Sequence, residues 1–326
     1  AVAREVGVPA TRVALVENAT SAVNTVLGSI ELEPGDEVLS TDHTYNAVRL
    51  TIEAFCRRHG ATPRVVELPV PTTAGEVEAR LLEAVGPRTR LAVLDHLTSP
   101  SALRLPLERL VPALQARGVR VLVDGAHALG QIGLDLGALG ADWYATNAHK
   151  WLYAPRGVAA LICGEGASRP LAPLVISHGV ARGFPDAFDY VGTRDYTAWL
   201  SLPAAAGFHG KLRQAGLDAY CASLVDAGSV ALEQVGAVAT GTRDLAAWMR
   251  AWWLPQDRAA TAEDAASVMQ GLWERERIQI RCAVLGGKLL LRFCAQAYVE
   301  KDELVALGDA LGRQGWPARS AARSRR

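Results

Sequence analysis

The stretch ADWYATNAHKWLYAPRGVAAL, Ala141 to Leu161, carries a lysine at its centre, where a surface lysine is not expected. Lys150 follows a run of small and polar residues and directly precedes Trp151. The apolar runs on either side, 143–146 and 158–163, have the length of buried strands, and a Pro-Arg-Gly turn precedes the second. The stretch therefore predicts two strands, with Lys150 in the connection between them.

The same alternation of apolar runs and amphipathic stretches continues along the first two thirds of the chain. It is typical of β–α–β units, so we predict an α/β fold with a mostly parallel seven-stranded sheet. The predicted strands are 12–16, 37–40, 64–68, 91–95, 120–124, 143–146 and 158–163, and the predicted helices are 20–30, 45–59, 74–84 and 107–116.

The pattern of apolar residues changes beyond about residue 201, where longer helical patterns begin. We expect a large domain over residues 1–215 and a small α+β domain over residues 216–326. The elements predicted from this point on are helices at 203–215 and 217–235, a hairpin of strands 277–284 and 288–293 around Gly286-Gly287, and a helix at 301–312.

The composition excludes several classes of protein. With 50% hydrophobic residues the chain can bury a large core, and its formal net charge of +0 gives no reason to expect binding to nucleic acid or to a membrane. The five cysteines form no CxxC pair and no regular framework, so we expect unpaired thiols, no metal site and a reducing, cytoplasmic location. A basic tail at 319–326 is interpreted as a solvated terminus.

Polar side chains follow the central predicted strands at the points where these strands end. Asp124 ends a strand in VRVLVDGAHALGQ, 119–131, and His127 lies three residues further on. Ligands bind at the carboxyl edge of open α/β sheets, and a buried carboxylate needs a partner such as a protonated pyridine nitrogen. Lys150 follows after room for one crossover helix and one short strand. We therefore expect it to return to the same edge.

Other predicted strand ends carry groups that suit a flat ring with a phosphate. A helix N-terminus binds anions through its free N–H groups, and an aromatic side chain can stack on a ring. Together with Asp124 and Lys150, such groups can hold pyridoxal phosphate through a Schiff base. They are Asn18, Ala19, Thr20 and Ser21 in VENATSAVN, His43 or the preferred Tyr45 in STDHTYNAV, and Thr98 and Ser99 in DHLTSPSALRLP.

These residues resemble the motifs of one enzyme family. They are similar to the class V branch of the fold-type I aminotransferases, and most closely to the isopenicillin N epimerase-like group. The resemblance covers residues 13–311 and implies a fold-type I transferase that depends on pyridoxal 5'-phosphate (PLP) and acts on an amino acid. It is carried by Asp-x-x-His at 124–127, the His149-Lys150 pair, GTRD at 192–195 and LLLRFCAQAY at 289–298.

The resemblance also implies a role for each site residue. Lys150 would bind the cofactor covalently, Asp124 would pair with the pyridine nitrogen, and His127 would lie near the phenolic oxygen. Arg292 would grip the substrate α-carboxylate as a bidentate fork. Thr193 would reach the phosphate of the neighbouring subunit, which implies a homodimer with shared active sites. The remaining cofactor contacts would come from Tyr45 over the ring, from Ala19, Thr20, Asn147 and His149 at the phosphate, and from Thr98.

The expected reaction begins when Lys150 removes the Cα proton of an amino-acid substrate. Return of a proton to the opposite face gives epimerisation, loss of a β-substituent gives a lyase, and protonation of the cofactor gives transamination. Epimerisation is favoured over desulfuration because a desulfurase needs a nucleophilic thiol on a flexible loop, and the one candidate, Cys282, lies in a tight hairpin. A C–S lyase or a cysteine desulfurase-type enzyme is the alternative.

Two departures from the family pattern bear on activity. Relatives carry a further N-terminal segment that helps to close the active site and the dimer, so a truncated, inactive member that serves as a binding or structural subunit is a third hypothesis. Cys294 and Val299 also replace the serine and the asparagine of the usual Ser-x-x-x-Tyr-Asn ending. We expect this replacement to alter the substrate pocket.

Overall fold

The computed structural model describes residues 1–167 and 171–316, so the basic tail at 319–326 lies outside the described residues. The chain divides into two compact units, which we call the large unit and the small unit. Two short inner segments group with the C-terminal part of the chain. The large unit comprises Ala1–Leu68, Gly75–Leu97 and Leu105–Lys211, and the small unit comprises Pro69–Ala74, Thr98–Arg104 and Leu212–Arg326.

The described residues of the large unit form a seven-stranded sheet. Its strands are β1 Val13–Val16, β2 Glu37–Thr41, β3 Thr62–Val66, β4 Thr89–Asp95, β5 Arg120–Asp124, β6 Trp143–Asn147 and β7 Ala159–Cys163. They lie in the order β1-β7-β6-β5-β4-β2-β3, and β7 alone runs opposite to the other six strands. The predicted α/β fold with a mostly parallel seven-stranded sheet is confirmed.

Burial explains why the central strands are nearly continuous apolar runs in the sequence. All five residues of β6 are buried, and so are the last five residues of β4. In a parallel sheet with both faces covered, alternate residues have no water to face, so the alternation of apolar and polar residues disappears. The predicted strands and helices of this unit agree with the structure to within two residues at each end.

Helices connect the strands, and local chemistry sets their ends. The helix Asn46–His59, for example, ends at Gly60, whose φ of +65° is a left-handed conformation that glycine adopts without strain. No helix within the described ranges is long and apolar enough to cross a bilayer. In chain order the helices are α1 Val2–Glu5, α2 Ala19–Ser29, α3 Asn46–His59, α4 Ala74–Glu83, α5 Leu107–Gln115, α6 Leu136–Leu139, α7 Ala148–Trp151, α8 Thr197–Leu200, α9 Leu202–Gln214, α10 Leu217–Gln234, α11 Ala262–Glu276 and α12 Lys301–Arg313.

The described residues of the small unit form a four-stranded antiparallel sheet. Its strands are β8 Val238–Ala239, β9 Met249–Leu254, β10 Arg281–Leu285 and β11 Lys288–Cys294, in the order β10-β11-β9-β8. Trp252 and Phe293 stack on one face of this sheet with their ring centroids 5.2 Å apart. A Cβ at Gly228 of α10 would lie 2.5 Å from the Phe293 ring, so only glycine lets the helix pack this closely.

Hydrogen bonds join the two inner segments to this sheet. The Thr72 N–H donates to the Thr240 carbonyl over 3.0 Å, and the Thr240 hydroxyl donates to the Ser101 carbonyl over 2.7 Å. Because these partners are far apart in the sequence, hydrophobic periodicity gives no sign of the grouping.

The predicted hairpin is confirmed, but the predicted start of its first strand is wrong. Gly286 and Gly287 have φ values of +54° and +71°, as a two-residue turn requires, and Leu285 pairs with Lys288. The first strand begins at Arg281 rather than at residue 277. Arg277 instead ends α11 in a left-handed conformation, φ +56°, and its N–H closes the helix on carbonyl groups of the last turn.

The carboxyl end of β5 packs tightly against β6. A Cβ at Gly125 would lie 2.2 Å from ring atoms of Tyr144. The Tyr144 ring cannot easily move away, because it is buried and its hydroxyl lies 2.7 Å from His96 Nδ1. Glycine is therefore required directly after Asp124.

Replacing Gly125 by alanine is expected to lower the free energy of unfolding by about 1–3 kcal/mol, because the added methyl group overpacks the buried Tyr144 ring. Urea denaturation measures this loss. Gly133→Ala is the control, since nothing lies within 4 Å of the added methyl group and its φ is not positive. If the two variants unfold at the same urea concentration, the tight packing at Gly125 is refuted.

Candidate active site

Three neighbouring parallel strands end in polar residues at one edge of the large unit's sheet. Asp95 ends β4, Asp124 ends β5 and Asn147 ends β6. Asp95 pairs with Asp124 in register, and β6 runs parallel to β5 on the other side. Since α7 starts directly after β6, Lys150 on α7 lies at this edge, which is where open α/β sheets bind ligands.

The N-terminus of α2 is joined to the same edge. Asn18 caps the helix by accepting the Ser21 N–H over 2.8 Å. The Asn147 side-chain oxygen accepts the Ala19 N–H over 2.8 Å, which ties β6 to α2. Within the described residues, the N–H and the hydroxyl of Thr20 enter no hydrogen bond. A free N–H at a helix N-terminus attracts an anion.

Lys150, His127 and Trp151 form a chain of hydrogen bonds. Trp151 Nε1 lies 3.3 Å from His127 Nδ1, and His127 Nε2 lies 3.1 Å from Lys150 Nζ. An indole N–H can only donate, so Nδ1 accepts and the neutral imidazole carries its proton on Nε2. With this tautomer, Nε2 can donate to Nζ whenever the amine is uncharged. Only the uncharged amine is a nucleophile, so the contact lies on the atom that would react.

Asp124 is almost fully buried, with 4% of its surface exposed. Burial raises the pKa of its carboxyl group, and the Ala126 N–H, which donates to Oδ1 over 3.0 Å, opposes part of that rise. A cationic N–H bound beside this carboxylate would lower the pKa further and would itself be held in the charged form.

Tyr45 and His43, the two candidates for stacking on a ring, differ in their accessibility. Tyr45 directly precedes α3 and is 47% exposed, whereas His43 is 0% exposed. His43 Nε2 lies 3.3 Å from the Leu68 carbonyl oxygen, and burial lowers the pKa of the ring. The neutral His43 ring therefore donates to Leu68 inside the fold, and Tyr45 is the accessible aromatic side chain.

His149 lies next to Lys150 and is partly buried. Its Nδ1 lies 2.9 Å from the Val158 carbonyl oxygen, so Nδ1 carries the proton and donates it. Burial is the main cause that lowers the pKa of this ring. Nε2 remains available for a ligand, and a bound dianion would favour the charged ring.

Thr193 lies on an exposed loop of the large unit, with its hydroxyl 3.4 Å from that of Tyr190. The next residue, Arg194, forms an ion pair with Glu17 and lies 4.0 Å from the centre of the Trp199 ring. Glu17 directly precedes the cap of α2, so the loop is joined to the start of that helix. None of the described contacts of Thr193 involves Lys150 or Asp124.

In the small unit, Arg292 on β11 has a hydrogen-bond donor without a partner among the described residues. Its Nη1 donates to the backbone and side-chain oxygens of Ser99, while its buried Nε has no partner among the described residues. Burial lowers the pKa of this guanidinium. A buried guanidinium with an unused donor suits a carboxylate ligand.

The Thr98 hydroxyl is already used within the small unit. Thr98 is fully buried; its hydroxyl lies 2.7 Å from that of Ser101 and accepts the Leu103 N–H over 2.8 Å. These bonds close a turn. In the described geometry, the Thr98 hydroxyl therefore stabilises the turn. Its predicted contact with the cofactor stays a prediction.

Cys282 is 1% exposed, and burial raises the pKa of its thiol to about 12. It pairs with Leu291 inside the hairpin. A cavity of about 760 Å³ opens near the same strands, with Arg281, Arg292, Tyr298 and Glu303 in its wall. Cys282 is not among the residues that line this cavity.

Trp151 and Asp95 lie at this site, although no motif of the sequence predicted either of them. Trp151 follows Lys150 directly, so its position was a signal, but an indole beside a lysine is more often part of a core. Asp95 ends a predicted strand as Asp124 does. Only the parallel register shows that the two carboxyl groups are neighbours.

Known proteins match this chain in sequence and in fold. The family model described as aminotransferase class V matches residues 1–247. An isopenicillin N epimerase of Streptomyces clavuligerus is 35% identical over 329 residues, which cover 95% of this chain and 81% of that protein. A putative L-cysteine desulfhydrase of Oryza sativa subsp. japonica is 36% identical over 215 residues, which cover 60% of this chain and 44% of that protein.

A solved structure of the cystine C–S lyase C-DES in complex with cysteine persulfide matches with a TM-score of 0.78. It is 24% identical, and the match covers 95% of this chain and 84% of that one, which shows the shared fold. A variant of C-DES with glycine covalently linked to its PLP cofactor matches with a TM-score of 0.76 at 25% identity, over 95% of this chain and 83% of that one.

The chain belongs to the class V aminotransferase family. Its fold is that of the fold-type I PLP enzymes, and its cofactor is pyridoxal 5'-phosphate. The resemblance found in the sequence is thereby confirmed at the level of family, fold and cofactor.

Trp151→Phe is expected to slow the attachment of PLP to the apo-protein by about tenfold, because it removes the donor that keeps the His127 proton on Nε2. In the other tautomer, Nε2 accepts from a charged lysine, which is a poor nucleophile. The rate of growth of the visible absorbance after PLP is added measures this effect. Trp273→Phe, at an exposed indole, is the control, and equal rates for both variants would contradict the proton arrangement.

Proposed function

We propose that this class V aminotransferase-family enzyme is an epimerase of the isopenicillin N epimerase type, which inverts the Cα configuration of an amino acid. The observation that carries this choice is a likeness in sequence along nearly the whole chain, whereas the match to the L-cysteine desulfhydrase covers 60% of it. The likeness is to the epimerase of S. clavuligerus, which matches over 95% of this chain.

The described residues fit PLP. Asp124 offers a buried carboxylate with one N–H partner, and a protonated pyridine nitrogen would supply the missing cation. The Lys150 amine, in its uncharged form, suits covalent attachment, and His127 would lie beside the phenolic oxygen. Tyr45 would cover the ring, and the phosphate would lie against Ala19, Thr20, Asn147 and His149 at the start of α2.

Two of these side chains have their hydrogen-bonding roles set by contacts already made. The Asn147 oxygen accepts the Ala19 N–H, so its amide nitrogen is the end that would donate to the phosphate. His149 donates to Val158 through Nδ1, so it would contact the phosphate through Nε2 and would take up a proton as the dianion binds. Neutral phosphate analogues should therefore bind more weakly than PLP.

The bound cofactor supplies an electron sink for the negative charge that develops at Cα. Lys150, once released, accepts the Cα proton as an uncharged amine, and Asp124 keeps the ring nitrogen protonated. Arg292 orients the substrate through its α-carboxylate. Epimerisation then needs a second proton, delivered to the opposite face of Cα.

The second candidate is a C–S lyase, favoured by the likeness to L-cysteine desulfhydrases and to the fold of C-DES. A desulfurase-type reaction would further need a thiolate nucleophile. The buried Cys282 thiol, with its pKa raised to about 12, does not supply one at neutral pH. A non-catalytic member of the family is the third candidate.

We further propose a cytoplasmic homodimer without nucleic-acid or membrane partners, in which Thr193 contacts the phosphate held by the second copy. The exposure of Thr193, and the lack of described contacts between it and Lys150, support a role outside its own site. The proposed location rests on the five cysteines, all among the described residues, which form no disulfide with one another.

The holoenzyme in deuterium oxide is expected to introduce deuterium at Cα of its amino-acid substrate together with inversion, because both follow from proton transfer at that carbon. NMR and chiral chromatography measure the two events on a panel of bulky amino acids. Cys282→Ser should leave the rate unchanged within about twofold, since a buried thiol takes no part. Lys150→Ala should abolish both events and any borohydride-reducible adduct.

Other products would favour the other candidates. Pyruvate and a thiol formed from a cysteine conjugate without a need for Cys282 would establish the lyase. Sulfide and alanine formed from cysteine, and lost in Cys282→Ser, would establish a desulfurase. If none of these reactions occurs although PLP is bound, the non-catalytic hypothesis holds.

Mixed dimers test the sharing of active sites. Lys150→Ala chains and Thr193→Ala chains are each expected to have little activity, and their heterodimer places both lesions in one site and leaves the other intact. At equal mixing, about a quarter of the wild-type activity should return, because half of the dimers are mixed and each has one good site. Lys150→Ala chains mixed with themselves are the control. No recovery would contradict the exchange of Thr193 between subunits.

A further inference from the structure

A second buried carboxyl group, that of Asp95, lies beside Asp124 and has no part in the chemistry described above. Asp95 ends β4 and pairs in register with Asp124 at the end of β5. Neighbouring strands lie about 4.8 Å apart, and paired residues of parallel strands point their side chains to the same face. Asp95 is 3% exposed.

Asp95 also joins β4 to the turn that carries Tyr45. The Thr44 side chain and the Tyr45 backbone N–H act on its carboxyl group and oppose the rise of its pKa. One of its oxygens, Oδ2, is buried and has no hydrogen-bond partner among the described residues. An ionised carboxylate with an unpartnered buried oxygen is costly, whereas a protonated one carries no charge to solvate.

The surrounding groups decide which of the two carboxyl groups is ionised. Lys150 acts electrostatically on Asp124, and the Ala126 N–H donates to Asp124. Among the described residues, no cation contributes to the pKa of Asp95. The other titratable groups of the neighbouring elements are His96 on the same strand end and Asp42, His43 and Tyr45 in the turn after β2; of these, His43 is neutral because burial lowers its pKa.

We propose that Asp95 is a positioning residue that stays protonated at neutral pH: it leaves the single negative charge on Asp124 and anchors the turn that carries Tyr45. Its effect on Asp124 as the partner of the cofactor rests on the proposed function, whereas its protonation is a property of the apo-protein. Burial first, and the charge of Asp124 second, raise the pKa of Asp95 well above the ordinary value, in agreement with the geometry.

Infrared spectroscopy of the apo-protein tests the proton directly. At pH 7 the carbonyl stretch of a protonated carboxylic acid is expected in the wild type and in Asp124→Asn, and it should be absent in Asp95→Asn. A missing band in the wild type, which requires no variant to fold, overturns the proposal. A band that is lost in Asp124→Asn and kept in Asp95→Asn assigns the proton to Asp124 and also overturns it.

Stability as a function of pH gives a second readout without cofactor. The unfolded chain releases the Asp95 proton near pH 4, whereas the folded chain keeps it to higher pH, so the wild type loses stability relative to Asp95→Asn as the pH rises. The ratio of their unfolding constants should change by up to about tenfold per pH unit above about pH 4, until the folded carboxyl group ionises. Asp257→Asn, a substitution on the surface, is the control. Its free energy of unfolding should change with pH in the same way as that of the wild type. A parallel curve for Asp95→Asn would contradict the proposal.

If Asp95 anchors the turn that carries Tyr45, two substitutions of similar size should differ in their affinity for PLP. Asparagine reproduces a neutral acid and can still accept from Thr44 and Tyr45, so Asp95→Asn should bind PLP within about threefold of the wild type. Asp95→Val leaves the Tyr45 N–H without an acceptor and should bind PLP about tenfold or more weakly. If Asp95→Asn is as weak as Asp95→Val, the residue acts as a carboxylate and the proposal fails. These readouts need no turnover, so their failure is distinct from failure of the proposed reaction.

Discussion

The parallel pairing of β4, β5 and β6 is the constraint on which the site depends. It brings the last residues of three strands to one edge, and the bond from the Ala19 N–H to Asn147 brings the start of α2 to the same place. Side chains alternate between the two faces of a strand, so a shift of one residue would turn Asp124 to the opposite face. The tight contact of Gly125 with Tyr144 helps to hold this register.

Some polar groups of the two units keep hydrogen-bonding capacity that a ligand could use. Among the described residues, Thr20 has an N–H without a partner, Asp124 accepts one backbone N–H, and Arg292 in the small unit has an unpartnered Nε. Buried polar groups are nearly always satisfied in folded proteins, so such exceptions concentrate at functional sites. In a class V aminotransferase-family enzyme, a phosphate, a ring nitrogen and a carboxylate are ligands of the required kinds.

Local patterns predicted most of the elements, because buried strands and glycine turns are properties of short segments. The hairpin around Gly286 and Gly287 is one example. The prediction was wrong at Arg277, where a helix from Ala262 continues to Glu276 and ends in a residue that does not usually adopt a left-handed conformation. The grouping of residues 69–74 and 98–104 with the C-terminal unit could not be predicted either, since hydrogen bonds distant in sequence produce it.

The family, the α/β fold and the cofactor could be predicted from the sequence, because the motifs around Asp124 and Lys150 are local and their order along the chain is characteristic. The neighbouring groups that act on Asp124 and Lys150 could be identified only from the folded chain. It buried His43 and exposed Tyr45, placed Trp151 where its N–H sets the His127 proton, and paired Asp95 with Asp124. Burial and proton positions depend on strand order and packing, which join residues that are far apart in the chain.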